Sequence, residues 1–181
     1  MKLKLLLLIL ALQTAWILRT TFVQERTLAG GAVVLLETRP VDPRDLLRGD
    51  YVILNYKISD VALSLFSPPH TNALPPGQPV YVALEPRGQF HEAVLASTNP
   101  ITPAEGQVVL KGQTQSWRRG PAVSTTHVQY GLERYYVREG TGNPRGKITV
   151  QAAVPASGQA RIKEVFVDGK PYAEAMKRVA Q

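Results

Sequence analysis

Three histidines, His70, His91 and His127, are the side chains of this sequence that titrate near neutrality. They fall in separate segments with no partner at i+2 or i+4, so the spacing that lets two imidazoles share a metal or pair as acid and base is missing. There is no cysteine, which removes disulfides, zinc thiolates, iron–sulfur clusters and a thiol nucleophile together. No G-x-S-x-G elbow, phosphate-binding loop or G-x-G-x-x-G turn is present; Gly140-Thr141-Gly142 runs into Asn143-Pro144 and reads as a turn, not a helix start. A site assembled from His91, His127 and a distant carboxylate is the one catalytic constellation left open, and satisfied surface histidines are the expected reading. The residues therefore predict no enzyme, no metal site and no cofactor.

The densest polar run is Arg39-Pro40-Val41-Asp42-Pro43-Arg44-Asp45-Leu46-Leu47-Arg48-Gly49-Asp50-Tyr51, leading into a segment that ends at Tyr56. Pro43 after Asp42, and Gly49 before Asp50, set a rigid turn and a tight approach to a strand. Asp42, Asp45 and Asp50 can cap backbone amides or pair with Arg39, Arg44 and Arg48. A structural cluster is the first expectation and a patch for a ligand or partner the second. A similar mixture of acid, arginine, tyrosine and glycine recurs over Tyr130–Gly140. Such groups gain most from partners across a fold, so either this second run packs near the first, with Glu133 or Arg134 reaching a charge among Arg44, Asp45, Arg48 and Asp50, or the two runs form independent solvated turns.

The scaffold begins with an apolar run. Residues 1–23, MKLKLLLLILALQTAWILRTTFV, place two lysines before a leucine-rich stretch whose only interior charge is Arg19 near its far end. Leu5–Leu18 alone is short for the roughly 20 residues that cross a bilayer, but the run continues to Val23. Small residues suited to signal cleavage are poorly placed, so an uncleaved anchor is expected over 1–23 with an extracytoplasmic domain over 24–181. Lys2 and Lys4 put the N-terminus in the cytoplasm by the positive-inside rule. With 21 basic and 14 acidic residues the net charge is +7, of which three positive charges belong to the anchor. The remainder is scattered, so no nucleic-acid partner is expected.

Between frequent glycines and prolines, 14 of each, lie segments rich in β-branched and aromatic residues, which predict an all-β body. Strands are expected near Ala32–Thr38, Asp50–Ser59, Gln78–Glu85, Phe90–Ala96, Gln107–Thr114, Thr125–Tyr130, Lys147–Val154 and Ala160–Val167. Arg87-Gly88-Gln89 and Val167-Asp168-Gly169-Lys170 read as turns, Phe66–Pro79 as a proline-rich surface loop, and Pro171–Gln181 as a short helix or frayed tail. The fold class is all-β: one small barrel-like or sandwich domain of about eight strands behind one N-terminal transmembrane helix.

Pro40 to Tyr51 with Tyr56, Tyr130-Gly131-Leu132-Glu133-Arg134-Tyr135-Tyr136-Val137 and the closing Ile162–Val165 and Asp168-Gly169 segments resemble the GDYXXXY-domain family of bacterial membrane-anchored proteins. The resemblance spans nearly the whole chain. Four residues, Val52 to Asn55, separate Tyr51 from Tyr56, where that family name suggests three. The resemblance implies a single-anchor protein of the bacterial inner membrane, with the bilayer as one partner and a multi-span membrane protein as a possible second. It also implies that the binding or structural motif comprises Asp42, Pro43, Arg44, Gly49, Asp50, Tyr51, Tyr56, Tyr130, Gly131, Glu133, Arg134 and Tyr135.

Leu46–Asn55 is also similar to the strand approach of membrane-anchored signal peptidases, whose nucleophilic serine lies eight residues before the glycine. Counting back from Gly49 reaches Val41, which cannot attack a carbonyl. The expected role is therefore a membrane-anchored binding or assembly module, with a divergent signal-peptidase-like hydrolase as the alternative.

Overall fold

The computed structural model describes residues 2–39, 51–70, 72, 74–115, 124–137, 144 and 146–177. Helix α1, Lys2–Gly30, takes up the whole apolar run and continues past Val23 through Gln24-Glu25-Arg26. It has no glycine or proline before Gly30, and the Gly30-Gly31 pair then ends it. Its large apolar side chains point outward around the circumference, with Leu3 68% and Trp16 66% exposed. Leu3–Gly30 is long and apolar enough to cross a membrane. A helix that is apolar all round is suited to lipid.

Eleven strands follow among the described residues: β1 Ala32–Glu37, β2 Tyr51–Ile53, β3 Asp60–Ala62, β4 Pro79–Arg87, β5 Phe90–Ser97, β6 Val108–Gln115, β7 Thr125–Gln129, β8 Arg134–Tyr136, β9 Ile148–Val154, β10 Arg161–Val167 and β11 Lys170–Pro171. A closing helix α2, Tyr172–Lys177, inserts Tyr172 and Met176, one turn apart, into the core. The strands form three antiparallel sheets in the orders β1-β9-β10-β11, β2-β8 and β3-β7-β6-β4-β5. One hydrophobic cluster joins them, with Val34 and Leu36 from β1, Val52 from β2, Val80, Val82 and Leu84 from β4, Leu110 from β6 and Val150 from β9 all essentially inaccessible.

The all-β expectation holds, with two differences. Among the described residues no sheet closes into a barrel, and three small sheets share one core instead. The strand expected over Asp50–Ser59 is also divided. Val52, Leu54, Tyr56 and Ile58 keep the inward alternation of one strand, but their backbone partners change along the way. β2 pairs with β8, Tyr56 then bridges Thr38 beyond β1, a 3₁₀ turn follows at Lys57–Ser59, and β3 joins the five-stranded sheet. Side-chain periodicity reports burial and is blind to which neighbour supplies the ladder.

The two turns appear as read. Register places Gly88-Gln89 between the paired Arg87 and Phe90. Asp168 and Gly169, at φ 49° and 79°, lie between the paired Val167 and Lys170, the sign pattern of a two-residue I′ turn. The proline-rich loop is tied at both ends, by Ser67 N–H to Ala96 O (2.9 Å) and Gly77 N–H to Thr114 O (2.8 Å).

Candidate functional site

The GDY strand and the YGLERYYV segment are neighbours: β2 pairs with β8 in the register Tyr51↔Tyr136, Val52↔Tyr135 and Ile53↔Arg134. Beyond the ribbon, Leu54 N–H donates to Glu133 O at 2.8 Å. Two buried phenols then lock the segments reciprocally. Tyr56 Oη donates to Leu132 O at 2.7 Å, and Tyr130 Oη donates to Ile58 O at 2.8 Å. Each segment thus offers a tyrosine and, two residues on, a carbonyl, and the pairs cross. Gly131, between the donor and acceptor of the second segment, has φ +79°, a left-handed conformation that costs glycine least.

Glu133 serves this turn itself: its Oε1 accepts from Tyr130 N–H at 2.6 Å. Burial, with the Glu133 carboxylate nearby, pushes the Tyr56 hydroxyl well above its usual range. Burial, then Glu133 and Asp60, does the same for Tyr130. Both phenols are therefore neutral donors at ordinary pH. Tyr135 packs edge-on against Tyr172 of α2, with ring centres 5.4 Å apart, and burial raises its pKa as well.

The opposite face of the ribbon points outward. Tyr51 and Tyr136 lie directly across from each other with ring centres 5.9 Å apart, and the Arg134 guanidinium sits 5.3 Å from the centre of the Tyr51 ring. Tyr136 is 71% exposed. Tyrosine and arginine combined on one surface are the residue types that carry most binding energy at protein interfaces.

Asp42, Pro43, Arg44, Gly49 and Asp50 lie outside the described residues, and with them the expected charge contacts of Glu133 and Arg134 to Arg44, Asp45, Arg48 and Asp50. Tyr51, Tyr56, Tyr130, Gly131, Glu133, Arg134 and Tyr135 are all gathered into the ribbon and its clasp.

A second polar cluster bears on the constellation of His91, His127 and a distant carboxylate that the sequence leaves open. Asp60 on β3 is hydrogen-bonded to His127 Nδ1, from the paired position on β7, at 2.8 Å, and to the Arg39 guanidinium. Burial raises the pKa of Asp60, but the His127 hydrogen bond and the Arg39 charge outweigh it and hold the carboxyl below its usual range. Glu37 at the end of β1 is gripped by Lys147 Nζ at 2.7 Å and Lys57 Nζ at 2.6 Å, and these bonds lower its pKa. A pocket of about 280 Å³ opens here, with Glu37, Lys57, Asp60 and His91 among its walls.

His91 Nδ1 accepts from Leu35 N–H at 3.2 Å, so this imidazole caps a β1 edge amide, and burial keeps it neutral by lowering its pKa. His91 and His127 are thus partly buried structural ligands rather than surface histidines. Alternation could not have revealed their partners, which lie 56 and 67 residues away. Among the described residues no group of three or more His, Asp or Glu converges as a metal site would require.

Comparison with curated proteins and with solved structures finds no match. The family model described as GDYXXLXY protein matches residues 13–165, from within α1 to Val165 in β10. Its motif maps onto Gly49-Asp50-Tyr51-Val52-Ile53-Leu54-Asn55-Tyr56 with both the leucine and the four-residue spacing in place, so the expected three-residue spacing is corrected. Among the described residues of that motif Val52, Leu54 and Tyr56 are buried, each 1% exposed, and with most of its length covered the chain belongs to the GDYXXLXY protein family.

Proposed function

We propose that this protein is a membrane-anchored binding or assembly module. In this reading α1 spans the bacterial inner membrane, the β body stands on the extracytoplasmic side, and the body works with a multi-span membrane protein. The carrying observation is the division of labour within the motif ribbon. Val52, Leu54, Tyr56, Tyr130 and Leu132 face the core and hold one another, whereas Tyr51, Arg134 and Tyr136 form an outward aromatic and cationic face. Internal packing accounts for the first set. A partner accounts for the second, since exposed tyrosine and arginine contribute to stability little and to recognition much. The two-lysine flank of α1 supports the orientation.

The test is photocrosslinking from position 136 of the full chain in native membranes, with wild-type Tyr51 and Arg134 and with both changed to alanine. A discrete adduct with a multi-span protein, lost in the alanine variant while the thermal melt is unchanged, is the expected outcome. An adduct pattern indifferent to the two substitutions would remove the proposal. An alkaline phosphatase fusion after Gln181 checks the side of the membrane: active enzyme is expected.

A further inference from the structure

Six positions of α1, Leu6, Leu10, Gln13, Ile17, Thr20 and Gln24, follow one another at alternating steps of four and three residues. That spacing keeps them on one stripe of the helix, and it is the spacing along which two parallel helices wind about each other. The large side chains among them stand open, with Leu6 62%, Leu10 57% and Ile17 61% exposed. We propose that this stripe is the contact between two copies of the chain, paired in parallel through α1, with the Gln13 carboxamides of the two copies hydrogen-bonded to each other at the middle of the bilayer. The inference rests on the reading of α1 as a membrane span.

Depth carries it first. Residues 3–23 extend about 31 Å at 1.5 Å each, close to the thickness of a hydrocarbon core, and residue 13 is their midpoint. The charged Glu25-Arg26 pair begins only beyond the end of that run. Lipid at the midpoint offers a carboxamide neither donor nor acceptor. The helix offers none either. Thr14 Oγ1 donates to Leu10 O at 2.9 Å and Thr20 Oγ1 to Ile17 O at 2.8 Å, whereas Gln13 is exposed and its carboxamide has no hydrogen-bond partner among the described residues. A polar side chain so placed is satisfied across a contact with another helix.

Charge then fixes which side packs. Lys4, Arg19 and Arg26 fall on the far side of the helix from the stripe, and the Arg26 guanidinium lies over the Phe22 ring, 4.7 Å from its centre. Packing along the stripe therefore buries none of these charges, and Arg19 keeps its route along the lipid-facing side to the interface.

Self-complementarity selects a second copy over a helix of another protein. A carboxamide is donor and acceptor at once, so two identical ones satisfy each other. Copies inserted in the same direction bring every residue to the depth of its counterpart, so Gln13 meets Gln13 at the midplane while Leu10 and Ile17 pack on either side of it. One polar position in an apolar seam is also the device that sets register and the number of helices.

The chain has no cysteine, so single cysteines report the seam directly. Full-length Leu10→Cys and Ile17→Cys on the stripe, and Leu5→Cys and Leu12→Cys away from it, are reconstituted at high dilution into vesicles of phosphatidylethanolamine and phosphatidylglycerol, oxidised with copper phenanthroline and resolved on non-reducing gels. The two stripe variants are expected to give a band of twice the chain's mass, stronger than that of the other two by roughly threefold or more. Adding Gln13→Leu to Ile17→Cys should weaken the band by a similar factor, and Gln13→Asn should retain it. Equal bands from all four positions, or a band indifferent to Gln13→Leu, would overturn the proposal. So would stripe cysteines that crosslink to a different protein in native membranes and give no dimer band in vesicles, since the seam then belongs to another helix. Reaction of Leu10→Cys with a charged, water-soluble maleimide on intact vesicles would remove the spanning reading, and the pairing with it.

Discussion

Tyr56→Phe isolates the crossed phenols from everything else the motif does. The ring stays in the core, where Tyr56 is 1% exposed, and no cavity opens; the single loss is the hydrogen bond to Leu132 O at 2.7 Å. Leu132 is also 1% exposed, so water cannot readily replace the phenol. Removing one partner of a buried hydrogen bond costs about 1–3 kcal/mol. At about 2–4 °C per kcal/mol for a domain of this size, the melting temperature should fall by roughly 2–12 °C. Tyr130→Phe should cost a similar amount through Ile58 O. Because both bonds join the same two segments, the double variant should depart from additivity by more than about 0.5 kcal/mol. Tyr51→Phe, on the outer face, provides the control and should stay within about 0.5 kcal/mol of wild type. The assay is thermal and urea unfolding of the full chain in detergent, followed by circular dichroism. Should Tyr56→Phe melt with the control, or the two phenols prove strictly additive, the clasp is geometry without energetic consequence and the reasoning is wrong.

Three further outcomes follow from the packing and the ionisation equilibria. A Cβ added at Gly112 would meet Val128 Cγ1 at 2.5 Å and the backbone oxygen of Gln129 at 2.6 Å; Gly112→Ala should therefore destabilise by at least the 1–3 kcal/mol typical of overpacking, measured by the same melts. Asp60 and Glu37 have pKa values below their unfolded ones. The stability they supply is present above about pH 4.5 and lost as pH falls through their folded values, so Lys147→Ala should flatten the acid limb of a stability–pH curve. Tyr56 and Tyr130 are shifted the other way. Below about pH 10 their contribution is complete, and it fades as pH rises from there towards the folded values, so alkaline unfolding should be blunted in Tyr56→Phe.

Much of this architecture was legible because burial writes itself into alternation. Tyr51 to Tyr56 and Arg161 to Val167 show which faces are apolar whatever their partners, and the Asp168-Gly169 turn announces its own backbone. Strands of three residues, such as Asp60–Ala62 and Arg134–Tyr136, are too short to display a period. Their ladders depend on neighbours more than 60 residues away. Composition raises the meeting of the two tyrosine-rich segments as one of two readings, and the β2–β8 ladder decides for it over independent solvated turns. Which groups meet could not be read there: the Tyr130 amide, three residues earlier, donates to Glu133, a contact that no spacing announces. The Asp60–His127 and Glu37–lysine pairs left no local trace, because each is a contact between strands whose pairing a linear reading does not specify.

The passage from α1 into β1 has a mechanical consequence. A pull transmitted along α1 enters the body at Ala32, the first residue of a strand zipped to β9 through six consecutive pairs, Ala32↔Val154 to Glu37↔Thr149. Force directed along the strand axis loads those rungs side by side, in shear, so that none can part without its neighbours. At the far end Thr38 is pinned through its Oγ1 to Ile148 O at 2.6 Å, and the adjoining Tyr56 bridge carries strain onward into the crossed phenols. Traction on α1 would thus be shared across the whole length of β1, and the ribbon bearing Tyr51 and Tyr136 would be the last part of that path to feel it.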